Sequence, residues 1–125
     1  MDELNELSGA VVGAAIEVHR QLGPGYLESV YEDALALELV LRGVPFGRQV
    51  AFSVRYKGHP VGRGRIDFLV GDILVVELKA VRELAPIHKS QVLSYLRAVQ
   101  SPLGLLLNFN VSVMTAGVRR VALTR

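Results

Sequence analysis

Three charged side chains in residues 65–79 are the best candidates for chemistry in this sequence. Asp67 lies ahead of an apolar run, and Glu77 and Lys79 follow among residues such as Val75 that favour a buried strand. Side chains alternate along a strand, so Glu77 and Lys79 project from the same face. Because burying a charge is costly unless it is paired or binds a metal, the pattern indicates a site for a cation or a charged ligand.

Asp67 joins the other two charges only if the hairpin between the strands has the right length. A two-residue turn at residues 71–72 would pair Asp67 with Val76 and send its carboxylate to the opposite face. A three-residue loop, 71–73, with a glycine-assisted bulge would pair Asp67 with Glu77. We predict the second arrangement, because it collects two carboxylates and one ammonium group into one site.

These residue types suit divalent-metal chemistry. Asp67 and Glu77 offer the hard carboxylate oxygens that Mg²⁺ and Mn²⁺ prefer. Lys79 would lie beside a metal-activated water, where its ammonium group could orient that water and neutralise charge on a phosphate. The structural alternative is a buried ion pair between Glu77 and Lys79, with Asp67 capping a turn.

Helices are predicted on both sides of the charged strands. Apolar residues recur at three- and four-residue steps over residues 4–22 and 27–42, and a Gly-Pro-Gly sequence breaks the pattern between them. Gly43 is placed to end the second helix. A third helix is predicted over residues 86–99, with proline in its first turn and a Ser-Pro pair as its end.

The remaining pattern predicts a mixed sheet. Its first part is an antiparallel meander of three strands over residues 49–56, 64–70 and 74–80, with a turn at 57–60. The apolar run 103–109 predicts a strand that is covered on both faces and parallel to its neighbour. Residues 118–123 predict a last edge strand. The fold class is therefore α/β (α+β), with helices flanking the sheet and one of them acting as a crossover.

Composition limits the class of protein. The 125 residues suit one domain, 1–125, and no apolar run approaches the roughly 18 residues of a membrane span. The absence of cysteine excludes disulfides, thiolate metal sites and cysteine nucleophiles. An acidic N-terminus without the basic start of a secretory signal predicts a cytoplasmic protein.

Charge is unevenly distributed along the chain. The net charge is +2, but the first 40 residues carry eight acidic groups and one arginine, so basic residues concentrate in the rest. A basic face beside an acidic pocket is the interpretation that this pattern favours, with weak support for a nucleic-acid partner. Solvated surface is the alternative for each candidate phosphate contact, which are Arg55, Arg63, Arg65, Arg82 and Arg97.

The order of elements, with Asp67 on one strand and Glu77-x-Lys79 on the next, resembles the PD-(D/E)XK nuclease superfamily. Within it, residues 25–31 read Gly-Tyr-Leu-Glu-Ser-Val-Tyr and match the G-x-x-E-x-x-Y signature of the GxxExxY family. The resemblance covers nearly the whole chain. It implies a restriction-endonuclease-like core, an Mg²⁺ or Mn²⁺ cofactor, and a nucleic-acid substrate with DNA favoured.

The resemblance also implies further metal ligands. The main-chain carbonyl of Leu78 would join Asp67 and Glu77, and Glu28 would bring a third acidic group from the second helix. Glu28 also lies near the start of that helix, where the helix dipole favours an acidic side chain. Capping electrostatics is therefore the structural alternative for Glu28.

Substrate contacts are expected mainly from the third helix. Gln91 and Tyr95 are four residues apart, so they stack on one helix face, where an amide and a phenol could hold a phosphate or steady Lys79. Lys89 lies beside them and could contact a nucleic-acid backbone. Tyr31 of the signature is a further substrate-binding candidate, with a half-buried aromatic as the alternative.

The predicted function is hydrolysis of nucleic-acid phosphodiester bonds by an Mg²⁺-dependent endonuclease or exonuclease. An alternative is a catalytically inactive nuclease-like fold that binds nucleic acid or a protein partner. A third interpretation is a homo-oligomer that uses residues 118–123 as an exposed edge strand.

Overall fold

A five-stranded mixed sheet orders the elements of the chain, of which the computed structural model describes residues 2–123. The helices and strands are α1 (Asp2–Leu22), α2 (Glu28–Leu41), β1 (Phe46–Tyr56), β2 (His59–Val70), β3 (Leu74–Lys79), α3 (Pro86–Val99), β4 (Leu103–Asn108), a 3₁₀ turn (Met114–Gly117) and β5 (Val118–Ala122). The strands lie in sequence order, with β3 and β4 parallel and the other neighbours antiparallel. This is the predicted mixed sheet, with β5 at one edge.

Helices cover both faces of the sheet. α1 and α2 pack on one face of the sheet. There Leu35 of α2 lies among residues 74, 76 and 78 of β3 and residues 103, 105 and 107 of β4. α3 covers the other face, with Val92 and Leu96 against Val75 and Leu106. All of β4 is buried, as predicted for a strand covered on both sides. No helix within residues 2–123 is both long and apolar enough to cross a bilayer.

The end of α2 is fixed by backbone hydrogen bonds around Gly43. Gly43 has a φ of 69°, the left-handed conformation that glycine adopts without strain. Its N–H donates to the carbonyl of Val40 at 3.0 Å, and the N–H of Val44 donates to the carbonyl of Leu39 at 3.0 Å. These two bonds satisfy the last helical carbonyls and turn the chain towards β1, which confirms the predicted helix end.

The β2–β3 hairpin has the predicted three-residue loop. Gly71 and Asp72 both have positive φ, 58° and 62°, and the N–H of Ile73 donates to the carbonyl of Val70 at 3.2 Å. The strands pair Val70 with Leu74 and continue to Phe68 with Val76. Continued by one residue, this register sets Asp67 opposite Glu77, as predicted.

The β1–β2 hairpin extends well beyond the rest of the sheet. β1 begins at Phe46 and β2 at His59, earlier than predicted, and the turn between them is only Lys57-Gly58, both with positive φ. Residues 53–63, which we call the arm, are all exposed. A ribbon that is exposed on both faces has no alternating apolar pattern, so the sequence did not reveal the arm's full length.

Candidate active site

β2 and β3 separate at the point where the two carboxylates lie. Their ladder ends at Phe68 and Val76. Beyond it, the N–H of Asp67 donates to Glu77 Oε2 at 2.8 Å, and the N–H of Leu78 donates to Asp67 Oδ2 at 2.9 Å. Side-chain oxygens therefore replace the backbone partners that the separating strands lose, and both carboxylates lie in the gap between the strands.

Glu77 is a buried acid with another acid beside it. The residue is only 4% exposed. Burial raises the pKa of Glu77 to about 9, and contact with Asp67 and the negative charge of Asp67 add to the shift. The N–H of Asp67 and the ammonium group of Lys79 act in the opposite direction. At neutral pH the pair therefore holds a proton unless a cation takes its place.

Lys79 lies next to this pair without forming an ion pair. It is half-buried at the end of β3, two residues after Glu77 on the same face. Within residues 2–123, every ion pair is formed by an arginine, so the alternative of a buried Glu77–Lys79 salt bridge is not seen. The charge of Lys79 nevertheless opposes the rise in the pKa of both Glu77 and Glu28.

Glu28 approaches the gap from the α1/α2 side. It is the first residue of α2, and its pKa is raised by burial of its carboxyl group and then by the charge of Asp67, while Lys79 opposes the shift. The residue is nevertheless classed as exposed, and the described residues contain no group of three acidic or histidine side chains arranged to hold a metal. The predicted three-carboxylate cluster with Asp67 and Glu77 is therefore not assembled, because Glu28 remains at an exposed helix start beside a like charge.

A main-chain carbonyl faces the gap instead. The N–H and carbonyl of one strand residue point to the same side, and neighbouring residues point to opposite sides. The Lys79 carbonyl accepts from the N–H of Phe109 on the β4 side at 2.9 Å, whereas the N–H of Leu78 points at Asp67. The Leu78 carbonyl thus faces the gap. With oxygens from Asp67 and Glu77, it would offer hard donors of the kind that Mg²⁺ and Mn²⁺ prefer.

α3 closes the other side of the gap with Tyr95 and Gln91. Burial raises the pKa of Tyr95, the charges of Glu77 and Asp67 add to this shift, and the Gln91 amide acts in the opposite direction. Tyr95 also meets the ring of Phe52 edge to face, with ring centres 5.0 Å apart. Tyr95 therefore lies within the electrostatic influence of the carboxylates, and Gln91 lies beside Tyr95 on α3.

A family model of the PD-(D/E)XK nuclease superfamily matches residues 5–121. The chain belongs to the PD-(D/E)XK nuclease superfamily. The fold is also similar to the crystal structure of SSO0001, with a TM-score of 0.55 and 18% sequence identity over 95% of this chain and 66% of that one. At this identity the likeness concerns the fold alone, and the chain spans just under two thirds of SSO0001. No curated protein matches the sequence.

Membership in the PD-(D/E)XK superfamily confirms the restriction-endonuclease-like core expected from the sequence. The superfamily is one of nucleases, which generally use divalent metals. The oxygen donors in the gap are of the kind that such metals prefer.

Tyr31, which the sequence analysis named as a substrate-binding candidate, lies in the core. It is completely buried and stacks on Phe109 with ring centres 4.7 Å apart. Its hydroxyl donates to the carbonyl of Gly23 at 2.6 Å and accepts from the N–H of Tyr26 at 3.2 Å. A substrate contact is incompatible with this position. Tyr31 instead holds the turn that precedes α2.

The two basic substrate-binding candidates lie apart from each other. Arg65 is exposed on β2, two residues before Asp67. Lys89 is exposed on α3 but lines a cleft with Arg119 and Val121 of β5. Nothing in the structure therefore groups Lys89 with the carboxylates, because it projects towards β5 rather than towards the gap.

Two residues that the sequence did not identify support Asp67. Gln49 Nε2 donates to Asp67 Oδ1 at 3.1 Å and to Glu32 Oε1 at 2.8 Å. Glu32 follows Glu28 by one helical turn, a spacing that could have marked it as a neighbour of the site. Gln49 carried no such signal, because its role depends on where β1 passes α2.

Proposed function

We propose that this chain is a metal-dependent nuclease that hydrolyses nucleic-acid phosphodiester bonds, with DNA as the favoured substrate. The observation that carries the proposal is the pair of carboxylates where β2 leaves β3: Glu77 accepts from the N–H of Asp67, and Asp67 accepts from the N–H of Leu78, next to Lys79. Two acids in contact in a buried place destabilise the fold unless a proton or a cation lies with them. A catalytic cation site accounts for that cost.

Each residue of the gap would have its own catalytic role. Asp67, Glu77 and the Leu78 carbonyl would hold Mg²⁺ or Mn²⁺, and the bound cation would polarise the phosphate and lower the pKa of a water. Lys79 is placed to donate hydrogen bonds to a phosphate oxygen and to stabilise the negative charge that develops there. Glu28, with its raised pKa, is suited to accept a proton from the attacking water.

α3 would position the substrate. The Gln91 amide and the Tyr95 phenol lie on one face of the helix and both can donate hydrogen bonds to phosphate oxygens. The shared influence of Asp67 and Glu77 on the pKa of Tyr95 supports this proximity. Holding the phosphate in line for attack is a substantial part of catalysis in phosphoryl transfer.

We further propose that the chain is a member of the GxxExxY family. The signature residues support this by their positions. The hydroxyl of Tyr31 ties down the turn at Gly23 and Tyr26, and α2 then begins directly at Glu28. The signature would thus combine a buried anchor with the acidic group that it presents to the gap.

Purified protein incubated with single-stranded, duplex and branched DNA and with RNA, each with Mg²⁺ or Mn²⁺, tests the proposal. We expect cleavage by the wild type and a loss of about 100-fold or more in Glu77→Gln and Lys79→Ala. Asp72→Asn, in the exposed loop of the same hairpin, is the matched control and should cleave normally. Cleavage that survives in Glu77→Gln or Lys79→Ala contradicts the proposal.

Calorimetric titration with Mn²⁺ separates this proposal from the inactive alternative. A nuclease should bind the ion and lose binding in Glu77→Gln. A wild type that neither binds Mn²⁺ nor cuts any of the four substrates would be a nuclease-like binding module instead.

A further inference from the structure

A groove of about 720 Å³ runs between the arm and α3. Arg55 and Arg63 line it from the arm, and Arg97 lines it from α3. Phe52 and Tyr95 form its aromatic part. None of these arginines belongs to the proposed catalytic set, so the groove needs an explanation of its own.

The two elements that form the groove carry charge of one sign. Residues 49–66 and 86–99 contain six of the fourteen lysines and arginines and none of the twelve aspartates and glutamates. The rest of the chain has twelve acidic residues and eight basic ones. Three of the six, Arg55, Arg63 and Arg97, line the groove, and its lining includes no acidic residue, which favours an anionic partner.

The groove arginines have no anionic partner within the described chain. Arg63 and Arg97 form no ion pair among residues 2–123, and Arg55 donates only to the carbonyl of Gly58, at 3.2 Å. All three are exposed. Their guanidinium groups are thus available to phosphates, which they can bind through two parallel hydrogen bonds.

Gly64 leaves room for an aromatic ring in the groove wall formed by β1 and β2. The ring of Phe52 lies directly over Gly64, where an added Cβ would collide with it. Phe52 and Tyr95 are both half-buried, so part of each ring faces the groove.

The groove reaches the catalytic gap through Tyr95. This residue lines the groove, and its phenol is close enough to Glu77 and Asp67 for their charges to act on it. Tyr95 is therefore the residue that the groove shares with the surroundings of the carboxylates.

We infer that the groove binds a single polynucleotide strand on one side of the bond to be cut, with arginines on its phosphates and aromatic rings against its unpaired bases. That the strand is cut next to the groove rests on the proposed nuclease function. Stacking on protein rings requires bases that are not already stacked in a duplex, and rings combined with a basic track are typical of single-strand binding. The substrate class is thus single-stranded or locally unpaired nucleic acid.

Fluorescence anisotropy in EDTA tests this inference without cleavage. The probes are a short fluorescein-labelled DNA oligonucleotide and the same oligonucleotide annealed to its complement. We expect tighter binding of the single strand, and about tenfold weaker binding in the Arg63→Gln/Arg97→Gln variant. The slope of log K against log salt should fall by about 0.7 for each phosphate that the variant no longer neutralises.

Matched variants separate the groove from general charge. Arg20→Gln removes an exposed arginine from α1, where it pairs with Glu17, and should leave binding unchanged. Ala98 is exposed in the groove wall, so Ala98→Glu should weaken binding while the isosteric Ala98→Gln should not. The Ala98 pair also covers the case in which the double arginine variant does not fold.

Equal affinity for the duplex, an unchanged Ala98→Glu variant, or an equal loss in Arg20→Gln would each overturn the inference. Binding in EDTA and cleavage are separate measurements. If the groove variants bind the single strand more weakly in EDTA and the wild type cuts nothing, the groove stands and the nuclease proposal falls. If the wild type cuts DNA but the groove variants bind and cut normally, the groove inference falls alone.

Discussion

Arginines on the two sides of this molecule have different neighbours. Around α1 and α2, Arg20, Arg42 and Arg48 each bind a glutamate. Around the groove, Arg63 and Arg97 bind no acid within the described residues. Exposed ion pairs contribute about 0–1 kcal/mol each. The first set therefore stabilises the fold slightly, whereas the second leaves its charge for a ligand.

Carboxylates show the same contrast. Glu32 and Asp33 of α2 are both bound by Arg48 of β1, so a neighbouring positive charge offsets their negative charge. The neighbour of Glu77 is instead another acid, Asp67, which raises its pKa. The gap therefore holds two carboxyl groups that retain a proton at neutral pH, whereas the groove holds arginines without an acidic partner among the described residues. A polyanion that arrives together with a divalent cation would satisfy both regions, as the two proposals require.

The largest expected effect concerns Glu77 and pH. Its pKa is about 9 in the folded protein and near 4.5 when unfolded, so the folded state binds the additional proton between these values. The free energy of unfolding should therefore fall as pH rises from about 4.5 to 9, by an amount on the order of several kcal/mol. Urea unfolding in EDTA at a series of pH values measures this.

Glu77→Gln should abolish most of that pH dependence and stabilise the metal-free protein at pH 8. Asp72→Asn, which removes an exposed carboxylate from the neighbouring loop, should leave it in place. A wild type whose stability is the same at pH 5 and pH 9 would show that the two acids are not coupled as described.

The register at this site was predictable because only one loop length unites the three charges. Asp67, Glu77 and Lys79 share a face if the hairpin loop has three residues, and burial cost then favours that register over the alternative. The limits of α3 were predictable too, since proline at the start and a Ser-Pro pair after the end mark both ends.

Other features depend on tertiary contacts that local sequence does not encode. The rotation of α2 decides that Tyr31 points into the core while Glu28 remains exposed, although they are three residues apart. The arm has no buried face, so no periodic pattern marks where β2 begins. Gln49 supports Asp67 only because β1 crosses next to α2.

A smaller effect is expected at Glu28. Glu28→Gln should reduce cleavage by about tenfold, because it removes the acidic group whose pKa is affected by the charges of Asp67 and Lys79. Its free energy of unfolding should change little. Glu38→Gln on the same helix loses only its bond to Arg42 and should cleave normally. Initial rates with Mg²⁺ compare the two. Equal cleavage rates in Glu28→Gln and Glu38→Gln would show that Glu28 takes no part in cleavage.

The smallest effect directly tests the contrast between the two sets of arginines. Arg48→Gln removes a side chain that binds both Glu32 and Asp33, and should lower the free energy of unfolding by up to about 1 kcal/mol. Arg63→Gln has no such bond to lose, so its stability should be unchanged. Parallel urea titrations measure both. A larger loss in Arg63→Gln would mean that the arm arginines serve the fold.

β2 is one uninterrupted strand from His59 at the tip of the arm to Val70, and Asp67 lies within it. At roughly 3.3 Å per residue, the tip lies about 26 Å along the strand from Asp67. The number of residues in β2 therefore fixes how far the tip of the arm lies from Asp67. Adding one residue to each of its strands would move the tip outward by about 3 Å and leave the carboxylates where they are.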